Sequence, residues 1–413
     1  FLHKAAYGYD NAGNRISREE QHTGRMAQMQ HDKTSYTYDN MNRLTEEKRN
    51  DAVTAYRYDP AGNRIAKNTA GRTEEYFYNN RNQLTELHWS ETSAGVTGAS
   101  MGVIGADGSS AGIAGTSVIR YHYDNAGNLT EEDYLTADGI SQKKRFYAYD
   151  AYNRNTEITG NDFTQQNHYD AEGYRDSVTE KDLHTGNTKT TGFAYQQGML
   201  LTELDENKEA IRHYIPGNAY IGVDNSYYLT DEQGSVRYVL SADADADVQN
   251  IYQYDAFGEC TAREERIPNR LKYNAQIEDE LTGLYYLRAR YYNASIGRFT
   301  QEDVIYNYGL SLYAYCGSNP VMYCDPSGFA KGGCDPKTGG ERDSKSGTNS
   351  NKRGNRPANL SPEGAGRNGA FREAKRKNNI PVSEQPKKVK PNAVRRGKKQ
   401  PGKIYEFENG IEI

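Results

Sequence analysis

Two aspartates in one dense stretch of the chain could carry out acid–base chemistry together. Asp303 and Asp325 stand 22 residues apart within residues 288–329, which read RARYYNASIGRFTQEDVIYNYGLSLYAYCGSNPVMYCDPSGF. Two carboxyl groups held close together cannot both ionise cheaply, so one keeps a proton while the other can activate water. A structural interpretation stays open, in which Asp325 only caps the turn that Pro326 and Gly328 predict. In this structural interpretation Asp303 is a surface residue. The spacing alone favours the structural interpretation, because few acidic pairs are catalytic.

Residue types that bind metals occur without the spacing of a metal site. The four cysteines include no Cys-x-x-Cys pair, so we predict no zinc site and treat Cys260, Cys316, Cys324 and Cys334 as incidental. The eight histidines all precede residue 214 and are scattered, which is typical of polar strand positions. The aspartates of the ADADAD run (Asp243, Asp245 and Asp247) lack the Gly turn of a calcium loop and are predicted to lie in a solvated loop. We predict no metal and no cofactor.

Composition divides the chain into an acidic part and a basic tail. Its 413 residues suffice for two or three domains. Residues 330–413 contain 20 Lys and Arg against 9 Asp and Glu, a net charge of +11, whereas the whole chain has −5. No apolar run reaches the length of a membrane span. The sequence begins at Phe1 rather than Met and ends inside an alternating stretch, so we expect a fragment of a longer protein.

The acidic part is built on a repeat of the form aromatic-x-Tyr-Asp-x-x-Gly-Asn-Arg-apolar-Thr. Copies begin at Tyr7, Tyr36, Tyr56, Tyr76, Tyr121 and Tyr147, with a decayed copy at Tyr169. The second tyrosine falls at 38, 58 and 78, and again at 149 and 169, so the period is 20 residues. Tyrosines at i and i+2 share one face of a strand, and Asp-x-x-Gly-Asn ends that strand in a turn.

Each repeat therefore predicts one β-hairpin that cannot bury its apolar face alone. Stacked hairpins share a continuous sheet, so we predict a mostly β fold of stacked antiparallel hairpins over residues 1–270. Carbohydrate binding by exposed tyrosines is the alternative, but regular spacing favours stacking. Residues 93–117 are rich in Gly, Ala and Ser without strand periodicity, which predicts a long flexible insertion between repeats.

The dense stretch contains a series of motifs in a fixed order. They are Gly297-Arg298-Phe299 followed by Glu302-Asp303, then Leu312-Tyr313-Ala314-Tyr315, Ser318-Asn319-Pro320-Val321 and Asp325-Pro326-Ser327-Gly328. This order resembles the core of Rhs/YD-repeat proteins over residues 271–329. The upstream copies resemble the YD repeats of the same family, which is similar to teneurins and insecticidal-toxin C subunits. Residues 227–236, with residues 252–258 as their partner, look like the family's hairpin before the core.

The resemblance implies a spiral β-shell that encloses a toxin polypeptide and cuts its own chain. In the family, paired aspartates act as an aspartyl protease, which cuts the chain just after the Asp-Pro-x-Gly-Leu motif. Asp303 and Asp325 match those positions, and Arg298 is a plausible electrostatic helper. We therefore expect cleavage after Phe329, which stands where the family usually has Leu.

Beyond Phe329 the composition predicts a flexible linker over residues 330–359 and a small α+β segment over residues 360–413. A helix is predicted near residues 368–377 and an alternating strand over residues 403–408. This segment resembles the opening of toxin domains that follow Rhs cores, of the HNH/endonuclease VII nuclease type. Such nucleases need histidine to activate water and bind a divalent metal, and no histidine follows His213, so we expect the catalytic half to be missing.

The sequence as a whole predicts a fragment of an Rhs-type polymorphic toxin used in interbacterial competition. We expect a secreted or cell-surface bacterial protein whose shell encapsulates its own C-terminal segment and releases it by autoproteolysis. The expected partners are a cognate immunity protein, a secretion-system component and, for the complete toxin, nucleic acid. The alternative is a cell-surface adhesion or carbohydrate-binding protein with a teneurin-like or wall-associated shell. The basic tail favours the toxin, because an adhesin has no use for a cleavable cargo.

Overall fold

The structure is a computed structural model, which describes two compact units, Phe1–Gly339 and Gly340–Ile413. The described residues are 3–23, 29–91, 103–104, 110–111, 116–136, 138–217, 219–243, 246–305, 311–329 and 331–333, with four short strands between 388 and 406. The predicted helix at residues 368–377 lies outside them, as do Asp245, Cys334 and most of the predicted linker. In this described part of the chain, no helix is long and apolar enough to span a membrane.

Strands make up nearly all of the regular structure. Those of the repeat region are β1 His3–Tyr9, β2 Arg15–Thr23, β3 Met29–Tyr38, β4 Leu44–Arg49, β5 Ala52–Tyr58, β6 Arg64–Thr69, β7 Arg72–Tyr78, β8 Leu84–Glu91, β9 Val103–Ile104, β10 Ser110–Ala111, β11 Thr116–Tyr123, β12 Leu129–Thr136, β13 Ser141–Tyr149, β14 Asn155–Thr159, β15 Phe163–Tyr169, β16 Arg175–Asp182, β17 Thr188–Gln196, β18 Met199–Leu204, β19 Ala210–Pro216, β20 Tyr220–Val223, β21 Ser226–Thr230, β22 Val236–Ser241, β23 Val248–Tyr254 and β24 Cys260–Glu265.

The strands that follow are shorter. They are β25 Ile277–Glu278, β26 Tyr285–Leu287, β27 Arg290–Asn293, β28 Arg298–Phe299, β29 Tyr323–Cys324, β30 Gly332–Gly333, β31 Lys388–Pro391, β32 Val394–Arg395, β33 Lys398–Lys399 and β34 Lys403–Glu406. Single 3-10 turns occupy Tyr273–Ala275 and Tyr315–Ser318. In the second unit β31 pairs with β34, which is the strand predicted from the alternation at residues 403–408.

One antiparallel sheet dominates the first unit, and we call it the wall. Its 22 described strands are β1–β8 and β11–β24, and each pairs with the next one along the chain. The prediction of stacked antiparallel hairpins is confirmed. Strand β11 pairs with β8 across the predicted insertion, so the wall continues through it. Within residues 93–117, strand β9 pairs with β10, and Thr116 and Ser117 belong to β11.

The repeated tyrosines hold neighbouring strands of the wall together. The first tyrosine is buried in five copies, with 8, 2, 3, 4 and 6% of its surface exposed for Tyr36, Tyr56, Tyr76, Tyr121 and Tyr147. The second tyrosine ends its strand and donates its hydroxyl to the carbonyl that begins the preceding strand. The Oη–O distance is 2.7 Å from Tyr58 to Leu44 and 2.6 Å from Tyr78 to Arg64. Rings used for packing in this way are not available as an exposed sugar platform.

Each repeat turn satisfies its own backbone locally. The Asp59 carboxylate accepts the backbone N–H of Asn63 at 2.8 Å, and Gly62 has φ of +91°, the left-handed region that glycine favours. The next turn uses Asn82, with φ of +59°, where the previous one has glycine. Neighbouring turns are joined because Asn63 Nδ2 donates to Asn82 Oδ1 at 2.8 Å. These are the turns that the Asp-x-x-Gly-Asn pattern predicts.

The described residues of 271–329, which we call the core segment, pack against the wall. Strands β25–β28 form a small antiparallel sheet. A single hydrophobic cluster joins wall residues such as Tyr121 and Val178 to core-segment residues such as Tyr286 and Tyr291. Polar side chains of the core segment also contact successive wall turns, as when Asn319 Nδ2 donates to the Asn42 carbonyl at 2.8 Å. Packing and hydrogen bonds together fix the core segment relative to the wall.

Candidate carboxylate site

Asp325 begins the turn that its sequence predicts. It follows β29 and is buried, with 3% of its surface exposed. Its Oδ1 accepts the Ser327 hydroxyl and the Phe329 backbone N–H, both at 3.1 Å. Gly328 has φ of +70°, and a Cβ added there would lie 2.5 Å from the Leu287 carbonyl oxygen, so only glycine fits. The turn-capping interpretation of Asp325 is confirmed: Oδ1 holds the turn, whereas Oδ2 faces the Arg290 guanidinium at 3.6 Å.

Asp303 lies in the loop after β28, close to the Asp325 turn. Its backbone N–H donates to the Leu312 carbonyl at 3.0 Å, and its Oδ1 accepts the Ile305 N–H at 2.8 Å. These contacts hold the loop after β28 so that Oδ2 points towards β27. The side chain is 12% exposed, which does not agree with the interpretation of Asp303 as a freely solvated surface residue.

The two carboxylates meet at Arg290, a residue of β27 that the sequence analysis did not single out. Arg290 Nη2 lies 2.9 Å from Asp303 Oδ2 and 3.6 Å from Asp325 Oδ2. Its Nε donates to the Gly328 carbonyl, and its Nη1 donates to the Leu312 carbonyl at 3.1 Å. The guanidinium also lies over the Phe299 ring, 3.6 Å from the ring centroid. Arg290 therefore connects both acids to the turn that leads to Phe329.

Arg298, the predicted electrostatic helper, is directed elsewhere. Its guanidinium donates to Asn63 Oδ1 at 3.2 Å and to the Asn82 carbonyl at 2.6 Å. It also lies over the Tyr78 ring, 4.7 Å from the centroid. The structure brings Asp303 and Asp325 together but places Arg298 on two turns of the wall. The cation next to the acids is Arg290, and the sequence carried no signal that distinguishes it from Arg298, because both are arginines of short strands in the same stretch.

Burial makes the carboxyl group of Asp303 harder to ionise. Burial raises the pKa of Asp303 above its usual range, and the nearby Asp325 carboxylate adds to the rise, whereas Arg290 opposes it. Burial lowers the pKa of the Arg290 guanidinium, and both aspartates oppose that change. A carboxyl group with a raised pKa beside a second carboxylate is suited to hold a proton while its neighbour stays ionised. The arrangement can therefore supply one acid and one base.

Other residue types give no comparable cluster. In the ranges that the structure describes, no group of three or more His, Cys, Asp or Glu side chains could hold a metal ion. The described cysteines, Cys260, Cys316 and Cys324, are free thiols. Burial raises the pKa of Cys316, and the Asp325 carboxylate adds to this, so the thiol stays protonated. Candidate chemistry in the described residues therefore rests on the carboxylates.

A wall of tyrosine–aspartate hairpins that packs against its own C-terminal block defines a repeat β-shell protein of the YD/Rhs type. The chain belongs to the teneurin YD-shell family, whose model matches residues 2–321. That match ends before Asp325, so it covers the wall and most of the core segment but not the turn that ends at Phe329.

Two curated relatives are similar to part of the chain. A tRNA3(Ser)-specific nuclease WapA of Bacillus spizizenii is 30% identical over 304 residues, covering 70% of this chain and 12% of the relative. A double-stranded DNA deaminase toxin A of Burkholderia cenocepacia is 26% identical over 249 residues, covering 51% of this chain and 17% of the relative. The chain therefore spans only a small part of the length of either relative.

Among solved structures, a crystal structure of TcdB2-TccC3-Cdc42 is 17% identical to the chain. The match covers 79% of this chain and 20% of the other, with a TM-score of 0.39. At that TM-score the likeness is too slight to carry an inference.

Proposed function

We propose that the chain is the shell segment of an Rhs-type toxin that cuts its own backbone once, after Phe329. The observation that carries this proposal is the meeting of Asp303 and Asp325 at Arg290, beside the turn that ends at Phe329. Ala330, on the far side of the bond, lies outside the described residues. The Phe329 amide is held by Asp325 Oδ1, so the residue that supplies the scissile carbonyl is tied to one of the two acids.

The chemistry is that of an aspartyl protease acting on its own chain. Ionised Asp325 accepts a proton from water as the water oxygen attacks the Phe329 carbonyl carbon, and protonated Asp303 donates its proton to the carbonyl oxygen. The tetrahedral intermediate then collapses: the C–N bond breaks, Asp325 gives its proton to the leaving amine, and the Asp303 carboxylate takes back a proton from one hydroxyl of the intermediate. The products are a carboxylic acid at Phe329 and a free amine. Arg290 offsets the negative charge of the pair at both stages.

An intramolecular site makes modest catalysis sufficient. The substrate bond is part of the same chain, so no binding step is needed and the effective concentration of the reacting groups is high. One turnover per molecule satisfies the function. Because Asp303 must hold the proton, the cleavage rate should fall as pH rises through its raised pKa.

The segment released by the cut would be a toxin that acts on nucleic acid. Relatives of the chain include a tRNA nuclease and a double-stranded DNA deaminase toxin, both by name proteins that act on nucleic acid. The net charge of +11 on residues 330–413 suits contacts with phosphate groups. We further propose that the toxin is delivered outside the producing cell and acts in competition between bacteria. An immunity protein would protect the producer.

The test of self-cleavage is the mass of the purified chain. We expect two fragments, the larger ending at Phe329, on denaturing gels and by intact mass spectrometry. Asp325→Asn should stay intact. Asp39→Asn is the matched control, because Asp39 also caps its own turn and pairs with an arginine, Arg43, but lies in the wall. A wild-type chain that remains intact, or an Asp325→Asn chain that is cut, would rule out the proposed mechanism.

The toxin assignment is tested separately. Expression of the complete gene in bacteria that lack the neighbouring gene should stop growth, and co-expression of that gene should restore it. Harmless expression of the complete gene would count against a toxin and favour the adhesion protein.

A further inference from the structure

Arg288 joins the turn of residues 325–329 to the wall. It lies between β26 and β27 with φ of +63°. Its Nη1 donates to the Pro326 carbonyl at 2.5 Å, and its Nη2 donates to the Gly198 carbonyl at 2.7 Å. One planar guanidinium therefore spans two segments that are more than a hundred residues apart in sequence.

The wall side of this bridge is a tight turn with little spare room. Residues 197 and 198 connect β17 to β18, and both have positive φ, +50° for Gln197 and +76° for Gly198. A Cβ added at Gly198 would lie 3.2 Å from Tyr174 Oη and 3.8 Å from Arg288 Nε. Tyr174 in turn stacks on Tyr195, with 5.3 Å between ring centroids. The position of the Gly198 carbonyl is thus set by packing within the wall.

The other side of the bridge belongs to the candidate site. The Ala289 N–H donates to the Ser327 carbonyl at 3.3 Å, next to the Arg288 contact with Pro326. Gly328 packs against the Leu287 carbonyl of the same hairpin. The turn that contains Asp325 is therefore docked on the β26–β27 hairpin, and Arg288 connects that hairpin to the wall. A displacement of the Gly198 carbonyl would be transmitted to Asp325 through Arg288.

We infer that Arg288 is a positioning residue that makes self-cleavage conditional on a folded β17–β18 turn. The inference rests on the proposed self-cleavage and adds a requirement to it. Arg288 does not contact the reacting atoms; it holds the Pro326 carbonyl, and through it Asp325, in register with Arg290. With the wall turn unformed, the guanidinium loses one of its two acceptors and the acids are not aligned. The cut would therefore follow the folding of the β17–β18 part of the wall.

The test perturbs the wall end of the bridge and leaves the acids untouched. Full-length chain made by cell-free synthesis is pulse-labelled, and the cleavage rate is followed on denaturing gels, with protease resistance of the same samples reporting folding. Gly198→Ala should slow cleavage by about tenfold or more, since small misplacements at an active site have large effects. Gly186→Ala is the matched control, because Gly186 has nearly the same φ, +74°, with open space around it, and should cleave at the wild-type rate.

Two further measurements separate positioning from a loss of fold. Arg288→Ala should slow cleavage, and millimolar guanidinium should restore part of the rate by occupying the vacated place between the two carbonyls. The pH dependence of the slowed variants should keep the wild-type midpoint, since Asp303 and Asp325 are unchanged. Wild-type rates for both Gly198→Ala and Arg288→Ala would overturn this inference and leave the proposed function intact. A wild-type chain that never cleaves would overturn both.

Discussion

The wall and the core segment satisfy their polar groups in different ways. In the wall, the Asp59 carboxylate bonds to backbone within its own turn, and the Tyr58 hydroxyl reaches the neighbouring strand. In the core segment, buried charges find partners far away in sequence, as Arg298 does with Asn63. Repetition makes the wall robust, because each unit repeats the same local contacts. The core segment is unique, so the loss of one side chain there has no equivalent elsewhere.

The largest effect should follow removal of the cation shared by the two acids. Arg290→Gln should reduce self-cleavage by more than about a hundredfold, because the carboxylates lose the group that aligns them and offsets their charge. Intact mass after a fixed incubation measures it. Arg43→Gln removes a guanidinium that pairs with Asp39 inside a single wall turn and should leave cleavage unchanged. Equal self-cleavage rates for Arg290→Gln and Arg43→Gln would contradict the proposed difference between the wall and the core segment.

The next largest effect concerns the buried ion pair that joins the two regions. Arg175 of β16 and Asp279 of the core segment are both fully buried, with N–O distances of 2.6 and 2.8 Å. Arg175→Met leaves Asp279 as an uncompensated buried charge, which should lower the free energy of unfolding by about 3–5 kcal/mol. Chemical denaturation measures it. Lys33→Met, which breaks an exposed pair with Glu19 within the wall, should change it far less.

A third contact, between β4 and the turn after β23, makes the free energy of unfolding depend on pH. Glu47 of β4 accepts the Ala256 N–H at 2.9 Å. Burial, followed by the neighbouring Asp255 carboxylate, raises the pKa of Glu47 from 4.5 to about 7. The folded chain therefore holds this proton longer than the unfolded chain does, so stability is lost as pH rises from about 4.5 to about 7. The loss is at most about 3 kcal/mol.

Glu47→Gln should remove this dependence. The variant should unfold at higher denaturant concentration than wild type at pH 8, and the advantage should shrink at pH 5. Glu46→Gln, at the adjacent position of β4, is the control. The prediction fails if wild type and Glu47→Gln lose stability in parallel between the two pH values.

The smallest effect should come from single hydroxyl groups of the wall. Tyr58→Phe and Tyr78→Phe each remove one hydrogen bond to a neighbouring strand and should each cost about 1 kcal/mol. Because the two sites are copies of one contact, their costs should be similar. Denaturation curves of the two single variants measure this. Costs that differ by several-fold would show that the repeats are not energetically equivalent.

Periodicity made most of the wall predictable. A strand, a turn and the hydrogen bonds of an Asp-x-x-Gly-Asn unit depend on residues within a few positions of one another. The 20-residue spacing therefore predicted the hairpins and the antiparallel sheet. The strand pair within the predicted insertion was missed because residues 93–117 carry no strand periodicity.

The candidate site was predictable only in part. Residue type and order identified Asp303 and Asp325, and the Asp-Pro-Ser-Gly sequence predicted the turn after Asp325. The sequence did not show whether Arg290 or Arg298 lies beside the acids, because both are arginines of the same stretch. In the structure both are buried. What separates them is which partner each meets in space, and for Arg298 that partner lies more than two hundred residues away.

By itself the sequence determined the local elements: the strands, the self-capped turns, and the two acids with the turn that follows the second. The tertiary structure alone decided which cation the acids share, and that Arg288 ties their turn to the wall at Gly198. The physical reason is range. Backbone sterics and turn chemistry act over a few residues, so they produce a repeat that is visible in the sequence. Charge pairing across the fold depends on distances that are set only on folding, so residue spacing does not predict it.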